Sequence, residues 1–351
     1  MDRYVVLLTV LVAIGLWGCQ SESSPNAAGM ENARIDASRS VRFTATIPPV
    51  GMILRPVVEG RAQVDVLLGP GDSPHTYDPR PSDVQAVSGS LRLVHVHEHL
   101  DGWVTSLPAE PLTLAPMVPA TWRQAMPSGR RGHESSRGRS PRDDETQAEG
   151  ADETGEATAS MDPHFWSDPL AVEAMLPALV DALCSADAEG CPTYRANADT
   201  FATDLQMLDS ELATMLHPLA DTKVALSQPF FQYFLARYGL RVIDIVEPLP
   251  AKEPSPRQVS RQIETLQTDG ARILFTQAQL PDRSARAVAE GAGIPILALD
   301  PIGGGDGRST YPDLLLYNAR RMLAELEHAP LPDTSLPNAS PPDASRAPRS
   351  D

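Results

Sequence analysis

The stretch "PTYRANADTFATDLQMLDSELATMLHPL", residues 192–219, reads as one unbroken helix. Pro192 stands where a helix tolerates proline, in the first turn, whose N–H groups have no intrahelical partner. The apolar period continues to Leu216. The pattern is longer than a usual crossover helix. It therefore predicts a bridge between two bodies of chain.

On both sides of that bridge, short apolar runs alternate with helical patterns. Before it come the strands "VRFTATI" (41–47), "QVDVLL" (63–68) and "LRLVHV" (91–96). Between them lie the helices "MILRPVVEG" (52–60) and "PSDVQAVSGS" (81–90). The stretch "MDPHFWSDPLAVEAMLPALVDAL" (161–183) then carries an apolar face of Val172, Met175, Leu176, Leu179, Val180 and Leu183. After the bridge, "KVALS" (223–227), "RVIDIVE" (241–247), "ARILFTQ" (271–277) and "IPILALD" (294–300) read as strands, each followed by a helical pattern. Strand alternating with helix predicts parallel sheets covered on their faces. The fold class is α/β: two parallel-sheet lobes, residues 41–191 and 218–328, joined by the helix 192–217.

The ends read differently. Residues 5–17, "VVLLTVLVAIGLW", follow Arg3 and are too few to span a bilayer, which takes about 20 residues. They have the length of a secretory signal core, so residues 1–18 read as a signal peptide. The run stops at "LWGC", and a small residue before Cys19 resembles the bacterial lipobox, in which the cysteine is lipidated. Residues 19–40 are a polar tether, and 329–351 a tail rich in Pro, Ser and Asp. Residues 129–160 change from a basic block to an acidic one with almost no large apolar residue, which predicts a disordered insertion. The net charge of −17 over 351 residues argues against nucleic acid as a partner. Apart from Cys19 the only cysteines are Cys184 and Cys191, close enough in an exported chain to form a bridge.

In open parallel sheets, ligands bind beyond the carboxyl ends of the strands. There the sequence sets His75 in "SPHTYDPRPSD", His95, His97 and His99 in "HVHEH", and His164 in "DPHFW". The second half adds Gln228, Gln277 and Asp300. Imidazole nitrogen and carboxylate oxygen together suit a divalent transition metal. "HVHEH" reads either as an exposed loop or as a strand edge, and in the second case its three histidines share one face. Glu98 is the one candidate base for a metal-dependent hydrolase, but no HExxH or paired-carboxylate motif accompanies it, so an enzyme is not expected.

The segments "GPGDSPHTYDPRPSDV", "DPHFWSDPLAV", "FFQYFLARYGLRVIDIVEP", "EPSPRQV", "AEGAGIPILALDP" and "YNARRMLAEL", in this order, resemble the periplasmic metal-binding proteins of zinc/manganese ABC importers. The resemblance covers about residues 41–326. It implies a rigid linking helix, with the metal buried in the cleft between lobes. It also implies His75, His164 and Asp300 as ligands. The remaining ligand falls at Gln228, where relatives carry His or Glu, and the acid of the family's "FTE" is Gln277 here. Either Gln228 ligates weakly through its carbonyl oxygen, or a loop histidine, His97 or His99, replaces it. The implied cargo is Zn2+, with Mn2+ or Fe2+ as alternatives. The implied partners are an ABC permease and its ATPase subunit. The implied state is a monomeric lipoprotein, periplasmic or on the cell surface. A surface adhesin of the same fold is the alternative. Gly18→Asp should abolish the lipid-dependent mass increase of the mature protein; an unchanged mass by mass spectrometry would count against the anchor.

Overall fold

The computed structural model describes residues 41–126, 161–247 and 254–328. The expected signal peptide, the lipidation site Cys19, the tether, the insertion 129–160 and the tail lie outside the described residues.

The first lobe is built on β1 (Val41–Ala45), β2 (Ala62–Val66), β3 (Arg92–His95) and β4 (Pro111–Thr113). All pair in parallel in the order β2-β1-β3-β4. Helix α1 (Pro48–Val58) begins on two prolines and buries most of its length, including Val50, Ile53, Leu54 and Val57. The chain leaves it through Gly60, whose φ of 78° is costly for any residue with a Cβ. Short helices α2 (Pro81–Val87) and α3 (Glu98–Asp101) follow β2 and β3. β4 was not expected from sequence. It is a three-residue edge strand opened by Pro111, a position where the missing N–H removes no ladder bond.

Helix α4 (Pro169–Ala186) starts at Asp168, whose carboxylate accepts from the Leu170 N–H at 2.9 Å. The bridging helix α5 (Cys191–Leu216) has 26 residues, so it is about 39 Å long. Its buried residues are Tyr194, Ala198, Phe201, Leu205, Leu208, Leu212 and Leu216, a stripe at three- and four-residue spacing. It packs against α4 and α1. Cys184 and Cys191 form a disulfide between the two helices, with Cα atoms 4.6 Å apart.

The second lobe repeats the first. It comprises β5 (Lys223–Leu226), α6 (Gln232–Arg237), β6 (Arg241–Ile245), α7 (Pro256–Asp269), β7 (Ile273–Gln277), α8 (Arg283–Ala292), β8 (Ile296–Leu299) and α9 (Tyr311–His328). Its strands are parallel in the order β6-β5-β7-β8. In both sheets the strand order reverses at the central pair, β1/β3 and β5/β7. That is where a crevice opens beyond the strand ends. One apolar cluster runs through both lobes, from Phe43 through Trp166, Leu205 and Phe231 to Met322. Because α9 packs back on α5 and α1, the lobes share that core.

Closing a loop this short by a disulfide lowers unfolded-chain entropy by the equivalent of about 2–3 kcal/mol. The double variant Cys184→Ala/Cys191→Ala should therefore melt several degrees lower than wild type by calorimetry. An unchanged midpoint would show that the bridge is not a stability element.

Candidate metal centre

His75 lies in the loop after β2, and the loop is held by more than its prolines. The indole Nε1 of Trp103 donates to the Pro74 carbonyl at 3.0 Å, fixing the backbone just before the histidine. The Tyr77 ring packs on Trp103 at 4.8 Å between centroids, and its hydroxyl donates to Asp83 at 2.7 Å. Asp83 also accepts from the Arg80 N–H at 2.7 Å, so the start of α2 ties down the loop's far end. His75 itself is half-buried. Burial, and then repulsion from His164, pull its pKa down to about 4. At neutral pH it is therefore a neutral imidazole with a lone pair to offer.

His164 faces it, with ring centroids 5.7 Å apart. Its Nδ1 is 2.7 Å from Asp162 Oδ1, and its backbone N–H donates to the same oxygen at 3.0 Å. An anionic acceptor at that distance places the proton on Nδ1 and leaves Nε2 as the lone-pair nitrogen. Asp162 is fully buried. Its second oxygen accepts from Gln232 Nε2 of α6 at 2.8 Å, and its carbonyl accepts from the Tyr233 hydroxyl at 3.2 Å. The orientation of a first-lobe histidine thus depends on second-lobe side chains.

The same segment is fastened to the exit of β8. Trp166 Nε1 donates to the Pro301 carbonyl at 2.9 Å, and the Tyr311 hydroxyl of α9 donates to the Trp166 carbonyl at 2.7 Å. These bonds set the "DPHFW" segment against the "LDP" segment. Asp300 sits there with both oxygens engaged. Oδ1 accepts from Gln279 Nε2 at 2.6 Å, the Ile302 N–H at 3.1 Å and the Gly303 N–H at 2.9 Å. Oδ2 is 2.8 Å from Arg308 Nε. Asn318 of α9 orients the backbone of Asp300, accepting from its N–H and donating to its carbonyl.

Among the described residues, no three His, Cys, Asp or Glu side chains converge closely enough to hold a metal. The structure gathers two, His75 and His164, while Asp300 is turned to Arg308 and Gln279. Gln228 lies half-buried just beyond β5, its amide nitrogen 3.4 Å from Glu247 Oε2. Gln277 is buried with its carbonyl oxygen unpartnered, as is that of Gln279. Of the two readings of "HVHEH", the strand edge does not hold. The strand stops at His95, so the three histidines do not share a strand face. His95 is buried with both ring nitrogens engaged, by Thr113 at 2.7 Å and Asp101 at 3.3 Å. His97 caps α3 and packs on His99 at 4.9 Å. Asp162, Gln279 and Arg308 were missed from sequence. Only Asp162 carried a signal, as the acid two positions before His164.

Two parallel-sheet lobes of matching strand order are thus joined by a bridging helix, with an imidazole pair beyond the strand ends of the first. The family profile described as "Zinc-uptake complex component A periplasmic" matches residues 44–324, and the chain belongs to that family. The chain is 30% identical over 303 residues to the high-affinity zinc uptake system protein ZnuA of Paracoccus denitrificans, covering 82% of this chain and 93% of that one. It is 24% identical to the manganese-binding lipoprotein MntA of Halalkalibacterium halodurans, covering 92% and 97%. Among solved structures, a crystal structure of ZnuA superposes with a TM-score of 0.62 at 21% identity, covering 81% and 98%. The periplasmic zinc-binding protein TroA of Treponema pallidum superposes with 0.63 at 16% identity, covering 82% and 99%.

The depressed His75 pKa carries a sign. Above the ordinary imidazole value of 6.5, His75 is neutral in folded and unfolded chains alike. Below it the unfolded chain takes up a proton that the folded chain refuses, so stability falls as pH drops toward about 4. The urea midpoint of the metal-free protein should fall across that window, and His75→Gln should flatten the fall. A parallel profile in the variant would assign the pH response to other groups.

Proposed function

We propose that this protein is the solute-binding receptor of an ABC importer. It captures a divalent transition metal, zinc in preference to manganese, and delivers it to a membrane permease. The observation that carries this reading is the His75–His164 pair, with the second imidazole oriented by a buried carboxylate. A carboxylate behind a histidine sets the tautomer and raises the basicity of the nitrogen that meets a metal. Imidazole nitrogens favour zinc over the harder manganese, which takes oxygen more readily.

Asp300 supplies the anionic oxygen from the second lobe, and Gln228 a weaker neutral one. Glu247, beside Gln228, adds a second-lobe carboxylate near this corner. The names of the relatives support both metals: zinc for ZnuA and manganese for MntA. A lipid anchor at Cys19 would keep the receptor beside its permease, outside the inner membrane.

Isothermal calorimetry with Zn2+ and Mn2+ tests the reading. Zinc should bind with a micromolar or tighter constant, and more tightly than manganese. His164→Ala should weaken zinc at least about 100-fold, and Asp162→Asn about 10–100-fold through loss of the orienting bond. Absence of binding at micromolar metal would reject the proposal.

A further inference from the structure

Arg308 stands against Asp300. Its Nε lies 2.8 Å from Asp300 Oδ2, an ion-pair contact without hydrogen-bond alignment, and its side chain is one-quarter exposed. The guanidinium carbon stands 4.5 Å from the centroid of the Tyr317 ring, a cation–π contact from α9 that fixes the head group. The loop that presents it is built for it. The Gly304 N–H donates to the Arg308 carbonyl at 2.8 Å, and the Arg308 N–H to the Gly305 carbonyl at 3.0 Å. Gly303 and Gly304 have φ of 70° and 81°. A Cβ on Gly305 would come within 2.7 Å of Arg308 Nη2, so a side chain there would push the guanidinium out of its present position.

Arginine does not lose its proton in proteins, so this partner cannot be neutralised by pH. The negative charge of Asp300 is already balanced, and its other oxygen is filled by Gln279 and two backbone N–H groups. A divalent ion approaching Asp300 meets a fixed positive charge at contact distance from the same carboxylate. Both cations cannot share it without strong repulsion in a partly buried site.

We propose that Arg308 is the resident counter-cation of Asp300, and that a divalent metal reaches this carboxylate only by displacing it. Loading is then a cation exchange, and Arg308 sets its affinity. The inference rests on the receptor reading above, with Asp300 as a ligand. It gives Arg308 a tuning role that packing alone does not. The unpartnered carbonyl oxygens of Gln277 and Gln279 lie on the strand end beside Asp300 and offer neutral acceptors when the arginine leaves.

Zinc calorimetry on the full chain at fixed pH and ionic strength tests it, using Arg308→Gln, Arg308→Lys, Asp300→Asn, the double variant Arg308→Gln/Asp300→Asn, and His164→Ala. Arg308→Gln should tighten zinc binding about tenfold or more, because the competing charge is gone. In the Asp300→Asn background the same change should shift affinity less than about twofold. Arg308→Lys keeps the charge and should stay near wild type; tightening equal to that of the glutamine variant would overturn the proposal. Thermal melting supplies a second readout. Arg308→Gln should lower the midpoint of the metal-free protein more than that of the zinc-loaded one, since only the former loses a buried partner. Unchanged or weaker zinc binding in Arg308→Gln, with binding lost in His164→Ala, overturns the role of Arg308 and leaves the receptor reading standing. Wild-type zinc affinity in His164→Ala overturns both.

Discussion

The arrangement around the site depends on one buried carboxylate. Asp162 has no exposure to water, and an ion in that position is tolerated only when its oxygens are bonded. Its donors come from two parts of the chain far apart in sequence. His164 supplies Nδ1 and its backbone N–H, and Gln232 of the second lobe supplies an amide. Satisfying this one charge therefore brings α6 to the "DPH" segment and aims the histidine in the same step. Trp166 with Pro301, and Tyr311 with Trp166, extend the same contact to the exit of β8.

The two halves of the crevice are prepared in opposite electrical states. On the first-lobe side, two imidazoles face each other, and His75 is kept neutral by burial and by its neighbour. On the second-lobe side, the Asp300 carboxylate is paired with Arg308. Lone pairs on one side and a balanced ion pair on the other avoid an uncompensated buried charge. The shared core and the bridging α5 hold these two faces in one body.

Much of the fold was legible because its signals are local. Strand–helix alternation follows from which residues must be covered on both faces, and Gly60, Gly270 and Gly293 mark chain reversals through their left-handed backbone. The 26-residue stripe of α5 is readable for the same reason. β4 was not legible, since three residues at a sheet edge leave no period to detect. "HVHEH" misled because alternation holds only while the strand lasts. Asp101 collects the Val96 and His97 N–H groups at 2.9 Å each, and the chain turns into α3 instead.

By itself the sequence determined the two lobes and the bridge, and it singled out His75, His164 and Asp300. Periodicity and turn chemistry act over a few residues, so they survive in a single line of letters. Only the tertiary structure decided which of those residues meet. It paired His75 with His164, withdrew His95 into a closed hydrogen-bond network, and set Arg308 against Asp300. Those outcomes turn on charge balance and hydrogen-bond satisfaction between distant segments, and neither is written in local pattern.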